Sequence, residues 1–338
     1  MDLNIFWFVM LGVLLTGYAI LDGFDLGVGT LHLFVKGDRE RRIVLNSIGP
    51  LWDGNEVWLV TFGGGLFAAF PHAYATAFSG FYLPFMLLLA FLMGRAVSLE
   101  FRSKQPAPWW RAYWDFSFSA ASTLAVLLFG VAVGNAMQGL PIGADKEYAG
   151  SVFDLLGPYP LLVGALAVAM CTMHGSIFLY LKTEGALQQR VHGWMWRSFF
   201  AFLALYVAVS VATLLLVPHA TQSFERWPAA WIVVVLNVLA VANIPRAIHL
   251  GRPGYAFVSS CCTVAALNFL FGMALFPNLL VSSLDPSFSL DIYNAAASQK
   301  TLGIMRTIVF IGLPFVAAYT ATVYWVFRGK TKLDETSY

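Results

Sequence analysis

Nine long runs of apolar residues follow one another along this chain of 338 residues. A helix needs about 20 mostly apolar residues to cross roughly 30 Å of hydrocarbon. The runs are continuously apolar and do not alternate with polar positions, as the strands of a membrane barrel would. Only helices and closed barrels satisfy their backbone hydrogen bonds in lipid, so the runs predict a membrane-spanning helical bundle. The predicted spans are roughly 4–34, 49–70, 74–96, 114–136, 159–181, 197–217, 228–246, 254–276 and 303–327.

The composition supports a protein in contact with lipid. Hydrophobic residues make up 59% of the chain and charged residues 11%, whereas soluble domains are about 45–50% apolar and about 25% charged. The net charge of +2 gives no reason to expect a nucleic-acid partner. The first run has neither a basic segment before it nor an A-x-A cleavage pattern, so we expect a retained helix rather than a signal peptide. The fold class predicted is an all-α integral membrane protein.

The basic residues predict the orientation in the membrane. All but four of the 20 Lys and Arg residues follow the first, third, fifth, seventh and ninth spans. The four exceptions are Lys146, Arg226, Lys300 and Arg306. Because Lys and Arg concentrate in cytoplasmic loops, we expect the N-terminus outside and the C-terminus in the cytoplasm.

The order of the spans predicts two similar halves. Spans one to four and five to eight run in the same sense, which would fit a parallel repeat of two four-helix bundles, 1–136 and 159–276. A ninth helix, 303–327, and a polar cytoplasmic tail, 328–338, complete the predicted organisation. The connecting loops are too short for a separate soluble domain.

Two pairs of carboxylates are the main candidates for chemistry. Asp22 and Asp25 lie three residues apart in the first span, on one helix face, and Asp53 and Glu56 have the same spacing in the second. Asp22 lies about 27 Å from Asn4 at 1.5 Å per residue, near the cytoplasmic edge of the hydrocarbon. Ionisable residues within spans are costly and indicate function. At this level the four carboxylates could pass protons inward from the cytoplasm.

Other interpretations of the same carboxylates stay open. Asp53 and Glu56 would favour the dipole of the helix that they begin, or pair with the arginines of residues 39–42. A secondary transporter could bind a coupling cation at Asp22 and Asp53, although such sites usually lie at mid-membrane on broken helices. A purely structural scaffold subunit would leave all four carboxylates dispensable.

Histidine is the obvious candidate for a haem ligand, and only His174 lies well inside a predicted span. Hydrogen bonding between helices is the favoured interpretation of this lone histidine, and we predict no metal site. Trp58 flanks the second carboxylate pair and could stack on a quinone ring, although packing is the favoured alternative. Gly27 and Gly29 of the first span, with Gly23, predict close approach of another helix.

Several of these segments resemble subunit II of the cytochrome bd-type quinol oxidases. The resemblance covers nearly the whole chain, and its long WDGN segment with RR-x3-NSI upstream is specific. The matching segments are YAILDGFDLGVG (18–29), RRIVLNSIGPLWDGNEVWLVTFGGGLFAAFP (41–71), AFSGFY (77–82), FRSK (101–104), GVAVGNAMQGLP (130–141), YLKTEG (180–185) and SQKTLGIM (298–305).

The resemblance implies a function that composition does not show. A member would be one subunit of a bacterial cytoplasmic-membrane complex that oxidises quinol and reduces oxygen to water. Two b-type haems and one d-type haem would be ligated by a homologous subunit I, and a small single-helix subunit could join them. Subunit II would have nine helices, support subunit I and contribute to a cytoplasmic proton path, and in some members it holds a structural quinone.

The resemblance also implies roles for individual residues. Asp53 matches the aspartate of the family's WDGN segment, assigned to the proton path, and Asp22 and Asp25 match the carboxylates at its entrance. Trp58 matches a tryptophan that contacts bound quinone in some members. Glu56 and His174 depart from the pattern, since some relatives carry glutamine at each position.

Overall fold

The structure, a computed structural model, describes residues 2–333, so residues 334–338 of the predicted tail lie outside the described part. Apolar runs with few internal breaks give helices through most of this range. The helices are α1 (Leu3–Leu31), α2 (Asp38–Ile48), α3 (Trp52–Ala69), α4 (Pro71–Gly80), α5 (Tyr82–Phe101), α6 (Pro108–Gln138), α7 (Pro158–Lys182), α8 (Gly185–Leu216), α9 (Gln222–Arg226), α10 (Trp231–His249), α11 (Pro253–Leu275) and α12 (Gln299–Val326).

Eight helices in the described part are long and apolar enough to cross a membrane, which confirms the predicted all-helical membrane fold. They correspond to eight of the nine predicted spans. The remaining predicted span, 49–70, forms α3, which has 18 residues and carries Asp53 and Glu56 in its first two turns. These polar residues lower its mean hydropathy, so α3 does not qualify on composition although it lies among the others. The predicted orientation of the termini stays a prediction.

Several predicted boundaries are wrong by about a helical turn or more. The run 74–96 is broken at Phe81, between α4 and α5, and α5 continues to Phe101. The segment after Glu184, predicted as a cytoplasmic loop, already belongs to α8. Arg190 therefore lies within α8 rather than in a loop.

The segments that join α6 to α7 and α11 to α12 lie on the predicted outer side, and they pack together. A two-stranded antiparallel sheet joins β1 (Asn278–Leu280) to β2 (Leu290–Asp291). Leu140 forms a bridge with Ser282 beside this sheet, so the loop after α6 meets the loop after α11. A cluster of buried apolar side chains fills the space between these loops and the start of α1.

Glycines permit the closest helix contacts, as the sequence predicts for α1. A Cβ on Gly27 would lie 1.8 Å from the carbonyl oxygen of Cys171, and Gly175 faces Gly27 from α7. A Cβ on Gly29 would lie 2.1 Å from the Ser122 hydroxyl on α6. The first helix therefore packs tightly against both α6 and α7. It also contacts α3, α11 and α12, so α1 is central to the bundle and connects both predicted halves.

Candidate functional site

The two carboxylates of α1 face inward at the level where α3, α5 and α12 pack around that helix. Asp22 and Asp25 are each 0% exposed. On the α7 side of this part of α1, Gly27 permits close approach, whereas a Cβ on Gly23 would make only an ordinary contact, 3.7 Å from Cys171 Sγ. A buried charge is costly unless it is paired and hydrogen-bonded. The partners of each carboxylate therefore indicate what it can do.

Asp22 is fully paired. Arg95 of α5 donates from its two terminal nitrogens to the two carboxylate oxygens, at 2.5 Å and 2.8 Å. Both side chains are buried, with 0% exposure for each residue. This fork-to-fork geometry is the strongest arrangement for a guanidinium and a carboxylate. It leaves Asp22 committed to an ion pair between α1 and α5.

Among residues 2–333, Asp25 has one hydrogen-bond partner, and that partner is neutral. The Asn55 amide on α3 donates to Oδ2 of Asp25 at 2.7 Å. The other oxygen, Oδ1, is buried and has no hydrogen-bond partner in the described part of the chain. Asp22, Arg95 and Glu56 lie within electrostatic range, but none of them binds this carboxylate. Asp25 is thus a buried carboxyl group with a free oxygen.

Asn55 connects Asp25 to the last helix. Its amide nitrogen also donates to the Leu21 carbonyl at 3.1 Å, while its oxygen accepts from the Tyr324 hydroxyl of α12 at 2.9 Å. Asn55 is 2% exposed, so all its polar atoms are satisfied within the protein. Three helices, α1, α3 and α12, therefore meet at one buried amide.

The second predicted pair lies closer to the surface. Asp53 is exposed in the first turn of α3, and Glu56 is half-buried one turn further on. Glu56 is within electrostatic range of Asp53, Asp22 and Arg95. The chain thus arranges Asp53, Glu56 and Asp25 in order of increasing burial along α3 and α1.

Trp58 packs against α1. A Cβ on Gly17 would lie 2.3 Å from the Trp58 ring, so the glycine allows the indole to lie directly on the helix backbone. The indole is half-buried and belongs to the apolar surroundings of Tyr18 and Leu26. The packing interpretation describes this contact, and contact with a quinone stays a prediction.

His174 is engaged through both ring nitrogens. Nδ1 is hydrogen-bonded to the Ser260 hydroxyl at 2.7 Å, and Nε2 to the Ile20 carbonyl at 3.0 Å. The ring also stacks on Phe257, with centroids 5.0 Å apart. His174 therefore bridges α1, α7 and α11, as the hydrogen-bonding interpretation predicts. Neither nitrogen is available to bind haem iron, so this residue does not fit the role of an axial ligand.

A second buried polar cluster was not predicted from the sequence. Asp115 of α6, 1% exposed, accepts from Arg102 at 2.6 Å and from Arg41 at 2.8 Å. The His32 ring lies 2.5 Å from the same carboxylate. Arg102 also reaches Asp38 at 2.9 Å. This Asp115 cluster joins the basic ends of α1, α2, α5 and α6.

Two of the buried charged residues that the sequence analysis did not single out had visible signals. Asp115 lies inside the predicted span 114–136 and Arg95 inside 74–96, and a charge inside an apolar run calls for a partner. The sequence did not show which partners these were. Asn55 and Tyr324 gave no signal, because an uncharged amide and a phenol near a helix end are common.

A site for a coupling cation is not supported by these contacts. Both oxygens of Asp22 accept from Arg95, so they are not available to a cation shared with Asp53. Among residues 2–333, no group of three or more His, Cys, Asp and Glu side chains is arranged to hold a metal ion.

The chain is similar to known proteins in family, in sequence and in fold. The family model described as cytochrome bd terminal oxidase subunit II matches residues 3–327. The chain is 36% identical to the cytochrome bd-I ubiquinol oxidase subunit 2 of Escherichia coli strain K12, over 98% of this chain and 96% of that one. It is 34% identical to the cytochrome bd ubiquinol oxidase subunit 2 of Bacillus subtilis strain 168, over 99% and 98%.

A solved structure gives the same architecture. A chain from the bd oxidase of Geobacillus thermodenitrificans superimposes with a TM-score of 0.78 at 17% sequence identity. The match covers 97% of this chain and 99% of the other. At this identity the likeness concerns the fold, and it extends over the whole helical bundle.

Proposed function

Because the chain belongs to the cytochrome bd terminal oxidase subunit II family, we propose that it supports a haem-binding subunit I and delivers protons to it. As a family member it is a subunit of a quinol:oxygen oxidoreductase, a multi-pass protein of the bacterial inner membrane. It is not catalytic alone. Its partner subunit I and the substrate quinol follow from that membership.

The surface formed by α3 and α12 is the proposed contact with subunit I. Asp53 and Thr61 are exposed on α3, and such groups facing lipid would be costly. Only Leu302 of α12 is buried, so most of that helix is uncovered within this chain. The apolar side chains that α12 exposes, such as Ile311 and Phe315, would suit lipid as well as protein, so the exposed polar groups of α3 are what favour a partner here. A protein partner on α3 and α12 would cover the polar groups.

The haem groups are proposed to belong to subunit I. That subunit would ligate two haem b and one haem d, which supply electron transfer and oxygen binding when present. The hydrogen bonds on both nitrogens of His174 support a chain that ligates none of them. A structural quinone beside Trp58 and a small single-helix subunit are further proposed partners.

Protons would enter at Asp53, pass by Glu56 and reach Asp25. The observation that carries this proposal is the buried Asp25 carboxyl group, which binds no cation and leaves Oδ1 unpartnered among residues 2–333. Such a group can take up a proton and release it without breaking an ion pair. Asp22 is held by Arg95 through both oxygens, and this ion pair would contribute to the local field of the path.

Oxygen reduction requires such a route for electrical balance. Each electron that reaches buried oxygen must be matched by a proton. Oxygen, the electrons and the protons together give water. If the protons come from the cytoplasm while quinol releases its own protons outside, turnover moves charge across the membrane. A carboxyl group that loads from one side is sufficient for this, and no pumping step is needed.

The decisive experiment uses the purified two-subunit complex with Asp25→Asn and, separately, Asp53→Asn. We expect unchanged haem spectra together with a loss of quinol-driven oxygen consumption of about 100-fold for Asp25→Asn, since a positioned proton-transfer group contributes about 10²–10⁴-fold. The exposed Asp53, which bulk water can partly replace, should lose less.

The control is Asp145→Asn, which removes an exposed carboxylate from the loop after α6. It should leave both spectrum and turnover unchanged. Normal turnover in Asp25→Asn and Asp53→Asn would contradict the proton path and favour a scaffold subunit.

A further inference from the structure

The Asn55 amide has a single orientation that satisfies all its neighbours. The Leu21 carbonyl can only accept a hydrogen bond, so the atom at 3.1 Å from it must be the amide nitrogen. The same nitrogen then donates its second hydrogen to Asp25 Oδ2 at 2.7 Å. The amide oxygen therefore points to Tyr324, whose hydroxyl donates to it at 2.9 Å.

This orientation determines where a proton on Asp25 must sit. In a protonated carboxyl group the carbonyl oxygen is the better acceptor, and the Asn55 N–H occupies Oδ2 as a donor. The proton therefore belongs on Oδ1, the oxygen that has no partner among residues 2–333. No acceptor among residues 2–333 binds a proton on Oδ1, so a water molecule or a group of the partner subunit can accept it there.

A flipped amide would have the opposite effect. The carbonyl oxygen of Asn55 would then face Asp25 and accept a hydrogen bond from a protonated Oδ2. An amide does not pass protons on, so the proton would stay between the two side chains. Delivery from Asp25 thus depends on the amide keeping its nitrogen toward α1.

Tyr324 is the side chain that opposes the flip from the other end. After a flip, the phenol hydroxyl that now donates to Oδ1 of Asn55 would have to turn its hydrogen away and accept from the amide N–H, while the Leu21 carbonyl would face the amide oxygen. Its ring is held in turn by an edge contact with the buried Phe24, at 6.4 Å between centroids. The packing of the ring therefore helps to position the hydroxyl.

We infer that Tyr324 is a positioning residue of the proton path: its hydroxyl fixes the Asn55 amide so that the proton on Asp25 resides on Oδ1. The inference rests on the proposed function, since it concerns the efficiency of the same route. It also assigns a role to α12, the helix that this chain itself holds least.

The test is Tyr324→Phe in the purified complex, which removes one hydroxyl and keeps the ring. We expect normal haem content and a loss of oxygen consumption of about two- to tenfold, the range that corresponds to one hydrogen bond. The solvent isotope effect on turnover should increase, and the ratio of variant to wild-type turnover should change with pH. A merely structural residue would alter neither.

Tyr206→Phe is the matched control. Tyr206 of α8 accepts a hydrogen bond from the Asn237 amide of α10 at 3.1 Å, another tyrosine–asparagine contact between two helices. Asp22, Asp25, Asp53 and Glu56 all lie on other helices. This variant should keep the wild-type isotope effect and pH dependence.

Coupling to Asp25 gives the sharpest outcome. In an Asp25→Asn background, adding Tyr324→Phe should change turnover by less than about twofold, because residues that act as a unit are not additive. Independent, multiplying losses would overturn the inference, as would wild-type turnover of Tyr324→Phe.

Failure of the inference can be told from failure of the proposed function. If Asp25→Asn is fully active, the proton path itself is wrong. If Asp25→Asn is inactive while Tyr324→Phe is normal, the path stands and only the positioning role is lost. Should Tyr324→Phe not assemble, Asn55→Ala carries the same test, since it removes the oriented amide. An assembled Asn55→Ala complex with normal turnover would then overturn the inference.

Discussion

Asp115 and Asp25 are both buried carboxylates near the ends of long helices, but their surroundings differ completely. Asp115 is bound by two arginines and a histidine, whereas Asp25 is bound by one neutral amide and keeps a free oxygen. Their exposures, 1% and 0%, are nearly equal. Burial alone therefore does not distinguish a structural carboxylate from one that could exchange protons.

The number of cations bound to a buried carboxylate therefore distinguishes a structural role from proton exchange better than its burial does. Protonating a carboxylate that binds two arginines removes a counter-charge from both, and Arg102, 2% exposed, is poorly placed to be hydrated instead. A carboxyl group bound by an amide can be charged or neutral with the same neighbours. Asp22 lies between the two, with a single arginine that engages both oxygens.

The largest expected effect comes from Asp115→Asn. This change keeps the shape of the side chain but removes its charge, and it leaves Arg102, 2% exposed, without its main counter-charge. Breaking a buried ion pair from one side costs about 3–5 kcal/mol. We expect low yield of the complex and a lower midpoint for thermal loss of its haem absorbance.

The contrast fails if Asp115→Asn assembles with wild-type thermal stability and loses only turnover. Asp115 would then behave as a functional carboxylate, and counting bound cations would have no diagnostic value. The exposed carboxylate variant Asp145→Asn provides the baseline for both measurements.

A second large effect is expected at the ion pair between α1 and α5. Arg95→Leu strands Asp22 in a buried site and should destabilise the complex by about 3 kcal/mol or more. The double variant Asp22→Leu with Arg95→Leu should recover most of this loss, because it removes both charges together. Thermal midpoints of the two single variants and the double variant complete the cycle.

Suppose that the double variant recovers its stability while turnover stays impaired. That result would mean that the charge of Asp22 acts on the proton path and is not needed for packing. If the double variant is no more stable than Arg95→Leu, the pair is held by contacts other than its charges. Asp22 would then resemble Asp115 in its role.

Much of this architecture could be predicted because hydrocarbon imposes simple rules. Runs of about 20 apolar residues predict helices whatever their neighbours are, and all nine predicted runs are helical. The residues of the carboxylate site were visible for a similar reason, since Asp22 and Asp25 interrupt an apolar run. Helix ends were predicted less well, because helices such as α8 continue beyond the hydrocarbon, where hydropathy gives no signal.

The partners in the site could not be predicted, because they come from distant parts of the chain. Arg95 is 73 positions from Asp22, and Tyr324 is 269 positions from Asn55. Their contacts depend on which faces of α5 and α12 meet α1 and α3. No local periodicity contains that information, so the difference between Asp25 and Asp115 became visible only in the structure.

A smaller effect on stability is expected for Asp25→Asn. The Asn55 amide can still donate to the oxygen of the new side chain, and no cation loses a counter-charge. The change in stability should stay within about 1 kcal/mol, comparable to one net hydrogen bond. The thermal midpoint should therefore remain close to wild type while turnover falls, the reverse of the pattern for Asp115→Asn.

The smallest effect on stability is expected for Asp38→Asn. This variant compares an exposed carboxylate with the buried Asp115 inside the same Asp115 cluster. Asp38 binds Arg102 at 2.9 Å and Arg111 at 3.2 Å, but its side chain is 43% exposed. Exposed ion pairs contribute about 0–1 kcal/mol, because water replaces the lost partner. We expect the thermal midpoint of Asp38→Asn to lie close to wild type and to approach it further as salt is raised. A loss as large as that of Asp115→Asn would mean that the whole cluster acts as one unit, whatever the exposure of its members. The role of a carboxylate would then follow from the burial and bound cations of its whole cluster, and not from its own.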